Sequence, residues 1–231
     1  MESNGTHEGK YDFSQLADRA WKISSQSRGK EMVILFDGGR PMTLSLGFTG
    51  NFSWVPYGGG APKYWRWRMV RSDGGAIYFS CKRKLSRIDP KHYSDHRSPC
   101  VWAENTEWES FIRGKLGLRK MRRPMYEVIM DQSLFNGVGN YIRAEVLQEV
   151  GGDPFMPANE YLGSNLKKLS LSLVILSSQA YALGGYQGTD WINPNGMDPG
   201  PFKAWLQCYS KMSRVKDSSG RSFWFDQKWA R

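Results

Sequence analysis

Cysteine and histidine are scarce in this chain: three of each, Cys81, Cys100 and Cys208, and His7, His92 and His96. The cysteines are odd in number, far apart and never in a CxxC pair, so neither a disulfide framework nor a cysteine-based zinc ribbon is expected. A reducing compartment follows. His92 and His96 have helical i, i+4 spacing, but Pro90 and the intervening Tyr93-Ser94-Asp95 read as loop, so no metal and no cofactor is expected. Long apolar runs are lacking too. The stretch Leu169–Leu183 is broken by serines and Gln179, and the opening MESNGTHEGKYDF is polar. Neither a secretory signal core nor a membrane span is expected, and the chain reads as a soluble intracellular protein with no membrane partner.

Acidic residues are the other deficit. Asp and Glu number 22 against 32 Lys and Arg, a net charge of +10 over 231 residues. That balance favours a polyanionic partner through phosphate neutralisation and counterion release. Global disorder is excluded by the 40% hydrophobic and 14% aromatic content, which supplies a sizeable core.

The first hundred residues read as β structure. Glu31–Phe36 is a short run of strand formers, closed by the Asp37-Gly38-Gly39 turn. Met42, Leu44, Leu46 and Phe48 alternate with Thr43, Ser45 and Gly47, the period of a half-buried strand. Over Tyr64–Val70, Trp65, Trp67 and Met69 are expected on one face and Arg66 and Arg68 on the other. Asp73-Gly74-Gly75 then turns the chain into Ala76–Cys81. After Pro99 the spacing becomes helical. Trp108, Phe111, Ile112 and Lys115 mark one helix with Thr106 as its cap, and Pro124 opens a second that runs to Asp131. Ile142, Val146 and Val150 mark a third, ended by Gly151-Gly152. Ser164–Leu183 and Phe202–Tyr209 complete the helices, and a hairpin turns at Ser218-Ser219-Gly220. We place the domain boundary near 100–105, dividing the chain into 1–103 and 104–231.

The most informative segment is Asp131–Leu147, DQSLFNGVGNYIRAEVL. It reads as a helix, a two-glycine turn and a second helix. Gly137 and Gly139 permit positive φ and close approach of an anion to the backbone. The new helix offers unpaired N–H groups at its positive end, and Asn140 either caps it or donates its amide to the anion. A plain helical hairpin is the alternative that the residues alone leave open.

This segment resembles the helix-two-turn-helix element of the formamidopyrimidine-DNA glycosylase/endonuclease VIII (Fpg/Nei) family, most nearly its zinc-less eukaryotic endonuclease VIII-like members. Four further stretches resemble family motifs in the family's order. They are Ser27-Arg28-Gly29-Lys30-Glu31; Gly47–Phe52, similar to G-M-S-G-S-F; Lys82–Ser86, similar to R-R-F-G; and Phe202–Tyr209 followed by Lys216–Phe225. The resemblance implies an α+β chain: a truncated β-sandwich, a helix-two-turn-helix domain and a zinc-less finger hairpin at about 212–226. It implies that Lys30, Asn140 and Arg221, with Gly137 and Gly139, grip phosphates around an everted nucleotide. Phe48, Arg83 and Leu85 match residues that fill the space the base leaves.

Active members of that family open on Pro-Glu, whose free amine forms an imine with the sugar. This sequence opens Met1-Glu2-Ser3-Asn4-Gly5 and reaches Lys30 early, so impaired catalysis is expected. An α-amine of pKa near 8 is about ten per cent neutral at pH 7, an ordinary lysine only about 0.04 per cent. Lys30 therefore replaces it only if its environment favours the neutral amine. Three expectations follow from the resemblance: a DNA- or structured-RNA-binding pseudoenzyme, an active glycosylase/AP lyase, or a subunit of a larger nucleoprotein assembly such as a ribosome. Nucleus or mitochondrion is the expected location.

Overall fold

The computed structural model describes residues 2–3, 20–47, 50–186 and 196–230. The chain divides into two units, one reaching Ser94 and the other covering Asp95–Tyr186 and Met197–Arg231.

Eight strands make two antiparallel sheets in the first unit: β1 (Glu2–Ser3), β2 (Ile23–Arg28), β3 (Glu31–Phe36), β4 (Arg40–Ser45), β5 (Gly50–Val55), β6 (Trp65–Val70), β7 (Ala76–Cys81) and β8 (Arg87–Asp89). One sheet has the order β2-β3-β4-β8 and the other β1-β6-β7-β5. Ile34, Phe36, Met42, Leu44 and Ile88 of the first meet Trp67, Phe79 and Cys81 of the second in one buried cluster. Two sheets that bury facing apolar rows against each other form a sandwich. The alternation from Met42 ends earlier than its pattern: β4 stops at Ser45, and Gly47 turns away at φ 62°. Phe48 lies outside the described residues.

The expected faces of β6 need a correction. Trp65 pairs with Ser80 but Trp67 with Phe79, so Arg66 is the extra residue of a bulge. It is therefore buried, and its Nε and Nη2 donate to the Cys81 carbonyl at 3.2 and 2.9 Å. A bulge re-aims one side chain without changing the strand, which is why alternation alone misplaced it.

The second unit carries α1 (Asn105–Arg113), α2 (Met125–Val128), α3 (Asn140–Val150), α4 (Ala158–Ala182) and α5 (Pro199–Trp205), then β9 (Ser213–Lys216) and β10 (Ser222–Phe225). Trp108, Ile112, Phe135, Ile142, Val146, Leu169, Phe202 and Phe223 lie in its buried core. Helix α1 has no side-chain cap, so Thr106 does not play that part. Helix α2 is a single turn after Pro124 rather than a helix to Asp131. Helix α4 starts earlier than expected, directly after Pro157, whose missing N–H suits a helix start. Helix α5 stops at Trp205 because Glu145 takes the next amides, as described below. Strands β9 and β10 pair from Ser213↔Phe225 to Lys216↔Ser222. Among the described residues no group of three or more His, Cys, Asp or Glu is placed to hold a metal, and no helix is long and apolar enough to cross a membrane.

Candidate nucleic-acid interface

The turn before α3 is built by its own side chains. Asp131 accepts from the Ser133 amide and hydroxyl at 2.9 and 2.6 Å and from Lys120 at 3.0 Å. Gln132 donates to the carbonyls of Met130 and Val138, both at 3.1 Å, and accepts from the Gly137 amide at 3.1 Å. Asn136 is fully buried and bonded to Ser98 through both its backbone and side-chain nitrogens. The chain then passes Gly137 at φ 108°, where a Cβ would be strained. Val138 anchors in the core while Gly137, Gly139 and Asn140 remain half-buried. Gly139 is the N-cap. The amides of Asn140, Tyr141 and Ile142 open α3 and have no acceptor within the helix itself, so the positive end of the helix dipole faces this turn.

Asn140 does not cap the helix. Its Nδ2 donates to the Ser222 carbonyl of β10 at 3.0 Å, and its Oδ1 accepts from Arg143. Arg143 is the centre of the arrangement. Fully buried, it donates to the Tyr126 carbonyl at 3.1 Å, the Ser222 carbonyl at 3.0 Å and Asp217 Oδ2 at 2.8 Å, and lies 5.2 Å over the Phe223 ring. Asp217 in turn accepts from the Ser219 amide and hydroxyl and the Arg221 amide, at 3.0, 2.6 and 2.9 Å. Burial opposes its charge, but the Ser219, Arg143 and Arg221 bonds outweigh that and hold its carboxyl well below the usual carboxylate range. The Arg221 guanidinium lies 3.4 Å from Asp217, bonds Ser219 at 2.7 Å and stays half exposed. Asn140 and Arg221, distant in sequence, are thus tied into one network. Glu145 supports the same helix from its other side: its carboxylate accepts from the amides of Gln207, Cys208 and Tyr209 at 2.8, 3.0 and 2.7 Å.

The first unit gathers its own candidates at one end of its sheets. Lys30 stands exposed on the β2–β3 turn, beyond Gly29 at φ 60°. Beside it Glu31 is buried, accepting from the Ser94 amide and hydroxyl at 3.0 and 2.5 Å. Because Met32 pairs with Leu44 and Ser45 with Arg87, the β2–β3 turn, the Leu46–Gly47 segment and the Lys82–Ser86 loop share that end. The last two interlock: a Cβ on Gly47 would lie 2.8 Å from the Leu85 carbonyl oxygen. Arg83 is exposed, and Leu85 is 57% exposed, an apolar side chain held out in water at a loop tip. Lys84 beside it takes the left-handed φ of 54°.

Sequence reasoning passed over Arg143, Asp217, Glu145 and Gln132. The signals were present. Arg143 and Glu145 are charges inside the apolar stripe of α3, and Asp217-Ser218-Ser219-Gly220 has the spacing of a carboxylate that folds its own turn.

A family model described as "Endonuclease VIII-like 1, DNA bind" matches residues 198–228, which span α5 and the hairpin. The chain is 28% identical to human endonuclease 8-like 1 over 89% of its own length and 61% of the relative's. It is 27% identical to formamidopyrimidine-DNA glycosylase of Thermus thermophilus, over 92% and 79% of the two chains. The chain spans about six-tenths of the length of the human and mouse relatives. The solved structure of the Thermus thermophilus glycosylase (MutM) overlays with a TM-score of 0.74 at 24% identity, covering 90% of this chain and 82% of that one. That of Lactococcus lactis Fpg with abasic-site DNA overlays at 0.82 and 19% identity, covering 100% and 90%. In sequence over most of its length, in its hairpin segment and in its fold, the chain is similar to the formamidopyrimidine-DNA glycosylase/endonuclease VIII family.

Proposed function

We propose that this chain is a DNA-binding protein of base-excision repair that grips a duplex around a damaged or abasic nucleotide. The observation that carries this reading is the network joining Asn140 at the start of α3 to Arg221 on the hairpin through Arg143 and Asp217. Two groups suited to phosphate, a helix start and a half-exposed guanidinium, are held in fixed relation by a buried ion pair. In this reading Asn140, Arg221 and Lys30, with the Gly137 and Gly139 backbone, contact phosphates. Arg83 and Leu85, with Phe48, enter the space an everted base leaves. Eversion and kinking cost a few kcal/mol, offset by such backbone contacts. The Lactococcus lactis protein of the same fold holds DNA containing an abasic site or Fapy-dG, which supports DNA as the ligand class. A nuclear location suits this role.

Grip is the part of the reaction that these residues account for. Lys30 is exposed on the β2–β3 turn, whereas burial is what favours a neutral, nucleophilic lysine amine. We therefore propose binding without strand cleavage for the residues described. Incubation with abasic-site duplex and borohydride tests both parts. Salt-sensitive binding without a covalent adduct is the expected result. An adduct mapped to Lys30 or to an amino-terminal amine would establish lyase chemistry instead, and failure to bind any duplex would overturn the reading altogether.

A further inference from the structure

Between α1 and α2 the chain carries charge of one sign only. From Arg113 to Arg123 there are six cations, Arg113, Lys115, Arg119, Lys120, Arg122 and Arg123, and no carboxylate. Four of them are engaged within the protein. Arg113 pairs with Glu109 at 2.7 Å, and the Lys115 ammonium lies 5.2 Å from the Phe111 ring centroid. Lys120 donates to Asp131 at 3.0 Å and to Ser133 at 2.6 Å, in the segment that leads into α3. Arg123 donates to Glu127 at 2.6 Å and to the Ser218 hydroxyl at 3.1 Å, in the turn that leads to Arg221. Glu127 closes this contact by accepting from the Ser218 amide at 2.9 Å. The 3-10 turn Arg119–Arg122 is thus tied through its own Lys120 to the segment before α3 and through the adjoining Arg123 to the hairpin, and its fully buried Met121 anchors it in the core.

Arg119 and Arg122 are the two left over. Both are exposed, and neither forms an ion pair among the described residues, whereas Lys120 and Arg123 beside them do. Residues i and i+3 of a 3-10 helix eclipse, so the two share one face with Cα atoms about 6 Å apart. Like charges set side by side repel, so internal packing gives no reason for this pair. A row of phosphates does, since each guanidinium forks onto phosphate oxygens. Position then selects which row. Arg123, next in sequence to Arg122, is bonded to the turn whose Arg221 is assigned to phosphate. Phosphates of one strand follow at steps of about 3.4 Å along the duplex axis, so a backbone seated on Arg221 reaches neighbouring surface within a few nucleotides.

We propose that Arg119 and Arg122 grip the DNA backbone beyond the damaged nucleotide, continuing the line of contacts that Arg221 begins. The identity of the ligand rests on the proposed function; the place of the contact rests on the cluster. The test is anisotropy of a labelled abasic-site duplex over a salt series, with Arg119→Gln and Arg122→Gln combined. The slope of log affinity against log salt is expected to become shallower by about two, at unchanged melting temperature. An undamaged duplex is expected to show the same change, because the contact lies away from the lesion. Arg119→Lys with Arg122→Lys, which keeps both charges, is expected to retain the slope. Lys167→Gln, which removes one charge from the exposed face of α4, is expected to leave it as it was. An unmoved slope in the double glutamine variant overturns the inference. A slope shallower by one in Lys167→Gln overturns it too, since loss of charge anywhere would then suffice. If the double glutamine variant keeps its slope but no longer accumulates in the nucleus, the cluster serves an acidic transport receptor and the DNA contact falls. A parent protein that binds no duplex sinks the proposed function and this inference together; a parent that binds while the double variant matches it sinks this inference alone.

Discussion

The two units hold their candidate contact residues by opposite means. In the helical unit Asn140 and Arg221 are bonded into a buried ionic network, with Arg143 donating to three segments at once. In the β unit Lys30, Arg83 and Leu85 stand on turns placed by backbone conformation, at Gly29, Gly47 and Lys84 with φ of 60°, 62° and 54°. The first arrangement fixes two cation- and amide-bearing elements relative to each other before any ligand arrives, which lowers the cost of ordering them on binding. The second leaves side chains exposed on short loops, where adjustment to a ligand disturbs little packing. Rigid grip and adaptable probe are thus assigned to different kinds of structure.

The sharpest way to break this contrast is Asp217→Ala. It leaves the Arg143 guanidinium buried without its counter-charge, and a loss of about 3–5 kcal/mol in unfolding free energy is expected by urea titration. A loss under about 1 kcal/mol would mean the network does not hold the hairpin. Acid sharpens the same point. A carboxyl whose folded pKa is depressed contributes stability that is full above its unfolded value near 3.9 and drains as pH falls through the folded one. Unfolding followed below about pH 4 should therefore be steeper for the parent than for Asp217→Asn. Glu145→Ala strips the acceptor from three buried or half-buried amides, and about 2–3 kcal/mol is expected by the same titration.

In the β unit the effects are smaller. Gly47→Ala meets both an unfavourable φ and the Leu85 carbonyl, and about 1–3 kcal/mol is expected in thermal unfolding. Arg221→Ala should be the mildest for stability, within about 0.5 kcal/mol, because its guanidinium is half in water. Its effect belongs to binding: weaker duplex affinity, and a salt dependence shallower by about one phosphate contact. Equal melting losses for Arg221→Ala and Asp217→Ala would erase the distinction between grip and scaffold.

Much of this was legible in the residues. Ile142, Val146 and Val150 marked α3, Asp73-Gly74-Gly75 marked its turn, and Ser218-Ser219-Gly220 marked the hairpin. Each signal is local, and local chemistry decides those elements. What stayed hidden depends on partners remote in sequence. Strand β2 is polar after Ile23 and exposed along most of its length, so it has no periodicity to betray it; pairing with the apolar β3 makes it a strand. Arg66 was expected to share a face with Arg68 because a bulge exists only relative to β7. Asn140 looked like a helix cap, but Gly139 holds that position and the Asn140 amide donates to Ser222, far along the chain. Arg143 was passed over because its counter-charge, Asp217, lies far along the chain.

The Arg143–Asp217 pair also bears on how the hairpin breathes. Two strands alone are marginally stable in water. Here the amides of Ser219 and Arg221 donate to a carboxylate that is itself bonded to α3. Their exchange with solvent deuterium should therefore track the opening of that helix rather than fraying of the turn. A surface loop in this position inherits the slow clock of the core.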